Sequence, residues 1–216
     1  MFITLEGIEG AGKTTQMPLL VQFLEERGYS CVRTREPGGT GIGARLRAVL
    51  LDPACSGMDP LCELLLYQAD RAQHVAEVIA PALARGKVVV CDRFADATVA
   101  YQGYGRNLGP EKVAALHAQV FGSLAPDLTL LFDLPAEVGL ARARQRVAAE
   151  GECAEGRFEE EDIAFHKRVR EGYLDLADKH PGRFVLVDAD GDAQTVGARM
   201  IGAAKAFLET REAIPG

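Results

Sequence analysis

The sequence holds no apolar run approaching the ~18 residues of a membrane span. Its opening, Met1-Phe2-Ile3-Thr4-Leu5-Glu6, has no basic stretch of the kind that starts a secretory signal. Positive charge is in deficit. Against 31 Asp and Glu there are only 24 Lys and Arg, a net charge of −7, the reverse of a shell that neutralises nucleic-acid phosphates. Basic groups gathered in a single cleft remain compatible with that total. Cysteines are few, and Cys31, Cys55, Cys62, Cys91 and Cys153 form no C-x-x-C pair, so they read as reduced thiols of a cytoplasmic protein. Also missing are internal repeats and any Pro- or Ser-rich linker. What is present, 48% hydrophobic and 25% charged residues, excludes a disordered chain. A length of 216 residues is enough for a sizeable core without disulfide staples.

Residues 1–5 form a short apolar segment that runs into Glu6-Gly7-Ile8-Glu9-Gly10-Ala11-Gly12-Lys13-Thr14-Thr15. Apolar positions then recur at Leu19, Leu20, Phe23 and Leu24 until Gly28, a strand–glycine loop–helix pattern. Residues 30–34 predict a second strand, stopped by Glu36-Pro37-Gly38-Gly39. Residues 42–51 and 61–85 predict helices, the second kinked or restarted at Pro81. The β-branched run over residues 87–91 predicts a strand buried on both faces, and residues 128–132 and 184–187 repeat it, each followed by a helical stretch. Such alternation implies an α/β fold of right-handed βαβ units with a parallel sheet covered on both sides. Residues 148–156 read as a mobile surface loop, and residues 1–216 as one domain.

The stretch from Gly7 to Thr14 matches G-x-x-x-x-G-K-[ST] in the required strand-to-helix context. Glycines let backbone N–H groups curl around phosphate oxygens, and the helix that follows adds the positive end of its dipole. Lys13 can reach the outer phosphates, and the Thr14 hydroxyl suits Mg²⁺. The chain therefore handles a nucleoside triphosphate. It has no Asn-Lys-x-Asp motif of a GTPase switch, and Asp188-Ala189-Asp190-Gly191, which fits D-x-x-G, comes after the last predicted strand. A motor ATPase would be longer, which leaves a small kinase with a second bound substrate. Asp92 and Arg93 lie at the carboxyl end of a predicted parallel strand, where open α/β sheets bind ligands. Asp92 fits either a helix N-cap or a second Mg²⁺ ligand, while the Arg93 fork matches a phosphate. Tyr67 and Arg71 are one helical turn apart, able to stack on and hydrogen-bond a base, although Tyr67 equally suits core packing.

Gly7 to Thr15, Thr34-Arg35-Glu36-Pro37-Gly38-Gly39-Thr40, Asp92-Arg93-Phe94, Ala100-Tyr101-Gln102-Gly103, Pro126-Asp127-Leu128-Thr129 and Phe132-Asp133-Leu134 occur in this order. Over nearly its whole length the chain thereby resembles the bacterial thymidylate kinases. The resemblance implies the P-loop nucleoside monophosphate kinase fold, a five-stranded parallel sheet flanked by helices, with a mobile lid at about residues 142–158. It also implies transfer of the ATP γ-phosphoryl group to dTMP, giving dTDP with Mg²⁺, in a cytoplasmic homodimer. ATP would lie against Gly7, Ile8, Glu9, Gly10, Ala11, Gly12, Lys13, Thr14, Thr15 and Arg142. For dTMP, Tyr67 would stack on the thymine, with Arg71 and Thr98 at its edge; Tyr101 would crowd out a 2′-hydroxyl, with Gln102 nearby. Arg93 and Arg47 would grip the phosphate, and Glu9 would approach the 3′-hydroxyl.

Several positions depart from the family pattern. Phe94 stands where Tyr or His is more usual, and Ala97 and Val99 are apolar where polar neighbours are common. The lid reads Gly156-Arg157-Phe158-Glu159, where either Glu155 substitutes for the usual aspartate or that contact is lost. Arg142, Arg144 and Arg146 fit a solvated basic helix end or phosphate ligands. The family carries a catalytic arginine in the cradle or in the lid; Gly10 leaves it to the lid, and Arg157 is the expected residue beside Lys13 and Arg93. Residues 188–192 are placed to border the adenine. Other readings are a related small-molecule kinase and a nucleotide-gated binding module.

Overall fold

The computed structural model describes residues 1–150 and 156–212; Cys153 and Glu155 lie outside them, as does most of the predicted loop at 148–156. Strands β1 (Phe2–Glu6), β2 (Cys31–Arg35), β3 (Val88–Asp92), β4 (Leu128–Asp133) and β5 (Phe184–Asp188) form a parallel sheet in the order β2-β3-β1-β4-β5. The helices are α1 (Lys13–Glu25), α2 (Gly41–Leu51), α3 (Pro60–His74), α4 (Ala80–Ala84), α5 (Ala95–Thr98), α6 (Pro110–Phe121), α7 (Ala136–Glu150), α8 (Ile163–Lys179) and α9 (Ala193–Glu212). Among the described residues no helix is long and apolar enough to cross a membrane.

Burial follows the sequence pattern. The continuous apolar runs became the central strands β1, β3 and β4, buried along almost their full length, whereas the edge strands β2 and β5 are partly exposed. One large cluster joins β1, β4, α1, α8 and α9, and a smaller one packs Phe2, Val89, Cys91 and Phe94 with Ile79 and Ala82. Helix starts are set by short polar side chains. Thr40 accepts from the Gly43 N–H at 2.9 Å, Asp59 from Leu61 at 2.8 Å, and Asp162 from Phe165 at 2.6 Å. Pro81 restarts its helix as predicted: a π-helical turn, Val75–Ile79, separates α3 from α4, because proline lacks the N–H that would continue the α ladder.

Strand order reverses around β1, whose neighbours β3 and β4 lead away on opposite sides, so the loops leaving β1 and β3 meet over the sheet's carboxyl edge. The turn after β3 is held from below. Arg183 makes a bidentate pair with Asp96 of α5 at 2.6 and 2.8 Å and also donates to Thr129, which bonds Thr4 across β1 and β4 at 3.0 Å. Arg183→Met strands the buried Asp96 carboxylate and is expected to lower unfolding free energy by on the order of 3 kcal/mol. Denaturant unfolding checks this, and adding Asp96→Asn to that variant should recover part of the loss.

Candidate active site

The β1–α1 turn is built on left-handed glycines, Gly10 at φ 71° and Gly12 at φ 88°. At Gly10 a Cβ would lie 2.0 Å from the carbonyl oxygen of Gly139, so the cradle rests directly on the first turn of α7 and no larger residue fits. Lys13 is buried, and its ammonium donates to the Gly7 and Ile8 carbonyls at 2.9 Å each. Burial and the neighbouring Arg93 pull its pKa down to about 8. The Thr14 hydroxyl donates to Asp92 Oδ2 at 3.3 Å, and the buried Asp92 Oδ1 has no partner. Asp92 closes β3, and the residue that precedes α5 is Phe94, so the N-cap alternative for Asp92 is not realised. A hydroxyl beside a carboxylate is a hard-oxygen pair of the kind Mg²⁺ takes.

A cavity of about 890 Å³ runs from this cradle past Arg93 to α3 and α7. Arg93 adopts φ 68°, a left-handed backbone costly for a residue with a side chain. That turn folds its guanidinium back over β1, where it donates to Gly7 O at 2.9 Å, Tyr173 Oη and Tyr101 Oη at 3.0 Å, and Glu9 at 3.1 Å. Glu9 also accepts the Tyr101 hydroxyl at 2.5 Å, and His166 Nδ1 stands 3.5 Å from its second oxygen. Burial pushes the Glu9 carboxyl up, but His166 and Arg93 outweigh it and hold the pKa down at about 2. Deeper in, Arg71 is fixed by Glu36 at 2.8 Å, Thr98 at 2.7 Å and the Phe94 carbonyl at 3.1 Å, with His74 bonding the far side of Glu36 at 2.8 Å. The Phe94 ring lies under that guanidinium, 5.0 Å away, so an apolar ring at this position gains a cation–π contact in place of a polar one. Half-buried Tyr67 packs against the core and lines the cavity at once, as do Arg47, Thr98 and Gln102 on its walls.

The lid arginines divide. Arg142 and Arg146 line the cavity; Arg142 donates to Ala189 O at 3.2 Å beside Asp190, and Arg146 to Glu159 at 2.9 Å. Arg144 donates to the Glu159 carbonyl at 3.1 Å and is not part of the wall. Arg157, expected as the catalytic arginine, is instead buried outside the cavity, bonded to Glu63 at 2.7 Å and to Leu50 O at 2.5 Å. Breaking a desolvated ion pair of this kind is strongly unfavourable, and Arg157 Nη1 is buried without a partner. Gly7 and Ile8 also stay off the cavity wall, behind Lys13. Sequence reasoning missed His166 and Glu63, and named Phe158 and Glu159 only as part of the lid motif, whereas both line the cavity. His166 sits on the buried stripe of α8 with Phe165, Val169 and Tyr173, a helical spacing that was readable.

A cradle alone would serve any nucleoside triphosphatase. Here the cradle shares one cavity with the guanidiniums of Arg93 and Arg71, on the five-stranded parallel sheet of a P-loop nucleoside monophosphate kinase. Within that class the chain belongs to the thymidylate kinase family, whose sequence model, described as Thymidylate kinase, matches residues 5–199. A thymidylate kinase of Desulfosudis oleivorans is 63% identical over 204 residues, 94% of this chain and 95% of the relative. One from Desulfovibrio desulfuricans is 51% identical over 212 residues, 98% of each. The crystal structure of the Ehrlichia chaffeensis thymidylate kinase superposes with a TM-score of 0.76 at 36% identity, covering 95% of this chain and 98% of that one. The chain is thus a kinase that passes the γ-phosphoryl group of ATP to dTMP, giving dTDP.

The depressed Glu9 carboxyl carries a pH signature. Because its folded pKa of about 2 lies below the ordinary 4.5, its contribution to stability is complete above pH 4.5 and is lost as pH falls through about 2. That contribution is roughly 3 kcal/mol. Glu9→Gln should flatten the acid limb of the stability curve across this window, as measured by denaturant titrations at stepped pH.

Proposed function

We propose that dTMP and ATP meet in this cavity, with the donor phosphates on the β1–α1 cradle and the acceptor phosphate at Arg93. The observation that carries the reading is that Lys13, Arg93 and the Arg71–Thr98 pair all open into one space. Arg71 and Thr98 serve the thymine edge, Tyr67 stacks on the ring, and Arg47 assists Arg93 at the phosphate. The Glu9 carboxylate, ionised throughout the physiological range, is an acceptor for the sugar 3′-hydroxyl. Tyr101, tied to Glu9 and flanked edge-on by Phe158, Phe165 and Tyr173, is a rigid wall against a 2′-hydroxyl. Gln102 lies farther back, its amide given to Glu63.

A dTMP phosphate oxygen attacks the γ-phosphorus in line; the new P–O bond forms as the bond to the β-phosphate oxygen breaks and ADP leaves, with no covalent enzyme intermediate. The protein's part is positioning and charge neutralisation. Lys13 faces the outer phosphates, and Arg142 and Arg146 approach from α7 in the role first expected of Arg157. Thr14 and Asp92 would hold Mg²⁺, which supplies neutralisation of charge on the bridging phosphates. We further propose one kinase domain over residues 1–216, with a lid at about residues 142–158, acting as a cytoplasmic homodimer. The free thiols Cys31, Cys55, Cys62 and Cys91 support the compartment. The exposed apolar Ile42 and Val49 on α2, beside Leu61 and Leu65 on α3, support the dimer.

A coupled assay across dTMP, dUMP, dCMP, dGMP and shikimate tests the reading; turnover of none would favour a binding module. Arg146→Ala should lower kcat by roughly 10²–10³, as loss of one preorganised charged donor does, while calorimetric dTMP affinity stays near wild type. Tyr101→Ala should relax discrimination against the ribonucleotide more than it weakens dTMP binding. An unchanged ratio of kcat/KM for the two sugars would make Tyr101 a packing residue.

A further inference from the structure

The Glu63 carboxylate on α3 is fully buried, yet it collects donors from separate parts of the chain. Gln102, on the π-helical segment Val99–Gly105 and in the cavity wall, donates to Oε1 at 2.7 Å. Arg106, which closes that segment, reaches both oxygens, at 3.2 and 3.1 Å. Arg157 donates to Oε2 at 2.7 Å. A buried anion persists only where such partners are fixed, and none of them is needed for charge balance in phosphoryl transfer.

Arg157 in turn reaches the end of α2, donating to Leu50 O at 2.5 Å, a favourable place for a cation at a helix C-terminus. Its guanidinium covers the Phe158 ring at 4.6 Å, and that of Arg106 lies 5.6 Å from the same ring. Phe158 lines the cavity and meets Tyr101 edge-on at 5.5 Å. One carboxylate therefore governs Gln102 directly, and Phe158 through two arginines. Both belong to the wall around Tyr101.

We propose that Glu63 is a positioning residue for the acceptor nucleotide: it clasps residues 156–161 onto α2 and α3, so that Phe158 and Gln102 hold Tyr101 against the sugar. The proposal rests on the cavity being the acceptor site. Without the clasp the cradle keeps its place, so ATP affinity is retained, while Arg146 is loosened through its Glu159 partner; the cost falls on dTMP recognition and on kcat rather than on ATP binding.

The test separates this role from a fold-stabilising one. Replacing a buried ion pair by apolar residues often preserves stability, whereas removing one partner does not. Glu63→Leu combined with Arg157→Met should therefore melt closer to wild type than Glu63→Leu alone, because Arg106 keeps Glu161 and only Gln102 loses its acceptor outright. It is nevertheless expected to raise KM for dTMP about tenfold and to shrink discrimination against the ribonucleotide by a similar factor, with KM for ATP within about twofold. Glu63→Gln, which still accepts from Gln102, should fall between. A stable double variant with wild-type KM and sugar discrimination would overturn the proposal. Should the double variant melt early, Arg157→Lys carries the same test: a raised dTMP KM supports the clasp, and a normal one refutes it. Wild-type saturation by dTMP, and its loss in Arg93→Ala, test the acceptor-site reading independently of any Glu63 result.

Discussion

An anion placed inside a phosphate cradle repels the ligand that the cradle holds, so Glu9 is tolerable only inside a shell of donors. Arg93 and Tyr101 donate to one Glu9 oxygen and His166 stands 3.5 Å from the other, and the rest of the site is arranged to keep them there. The left-handed turn at Arg93 brings its guanidinium back over β1, and the parallel pairing of Leu5 with Asp92 sets the distance it must cover. Behind it, Glu6 accepts from the Phe94 N–H and the Tyr173 hydroxyl at 2.7 Å each. Burial, reinforced by Asp96, pushes the Glu6 carboxyl up to about 8. Two glutamates, three residues apart on one strand and its loop, thus lie on opposite sides of neutrality. The cation nearest Glu9 and the desolvation of Glu6 make the difference.

The cradle side of the cavity and its α3 side are each held by packing. The contact between Gly10 and Gly139 seats α7 on the cradle, and α7 presents Arg142 and Arg146 to the cavity from that seat. A side chain at Gly10 would push the helix away, so an arginine cannot occupy this point of the cradle while α7 keeps its position. On the other side, Glu36 is shared by Arg71 and His74, which ties the loop after β2 to α3. These are buried, charge-paired contacts, and each fixes a side chain that would otherwise lose rotamer freedom on binding.

Phe158 and Tyr101 illustrate how far the wall depends on remote charges. Neither ring has a charge of its own, but Arg157 and Arg106 pin the first, and Arg93 lies 4.8 Å over the second. Arg157 and Arg106, neither of which lines the cavity, still shape its wall.

The sequence by itself determined the sheet, the cradle and much of the cavity wall. Strands show as unbroken β-branched runs because a central parallel strand is buried on both faces, and the cradle shows because only glycines allow its curvature. Asp92, Arg93, Tyr67, Arg71, Thr98 and Tyr101 line one cavity because strand ends and helix turns fix positions over short spans. Only the tertiary structure decided which arginine faces that cavity. Arg146 and Arg157 are alike in sequence, both near acidic neighbours in one lid, and local spacing cannot say that Glu63, distant along the chain, will bury one of them. The same holds for His166 beside Glu9. A side chain's electrostatic partner is set by long-range packing, and in a low-dielectric interior that partner decides whether a charge serves the ligand or the fold.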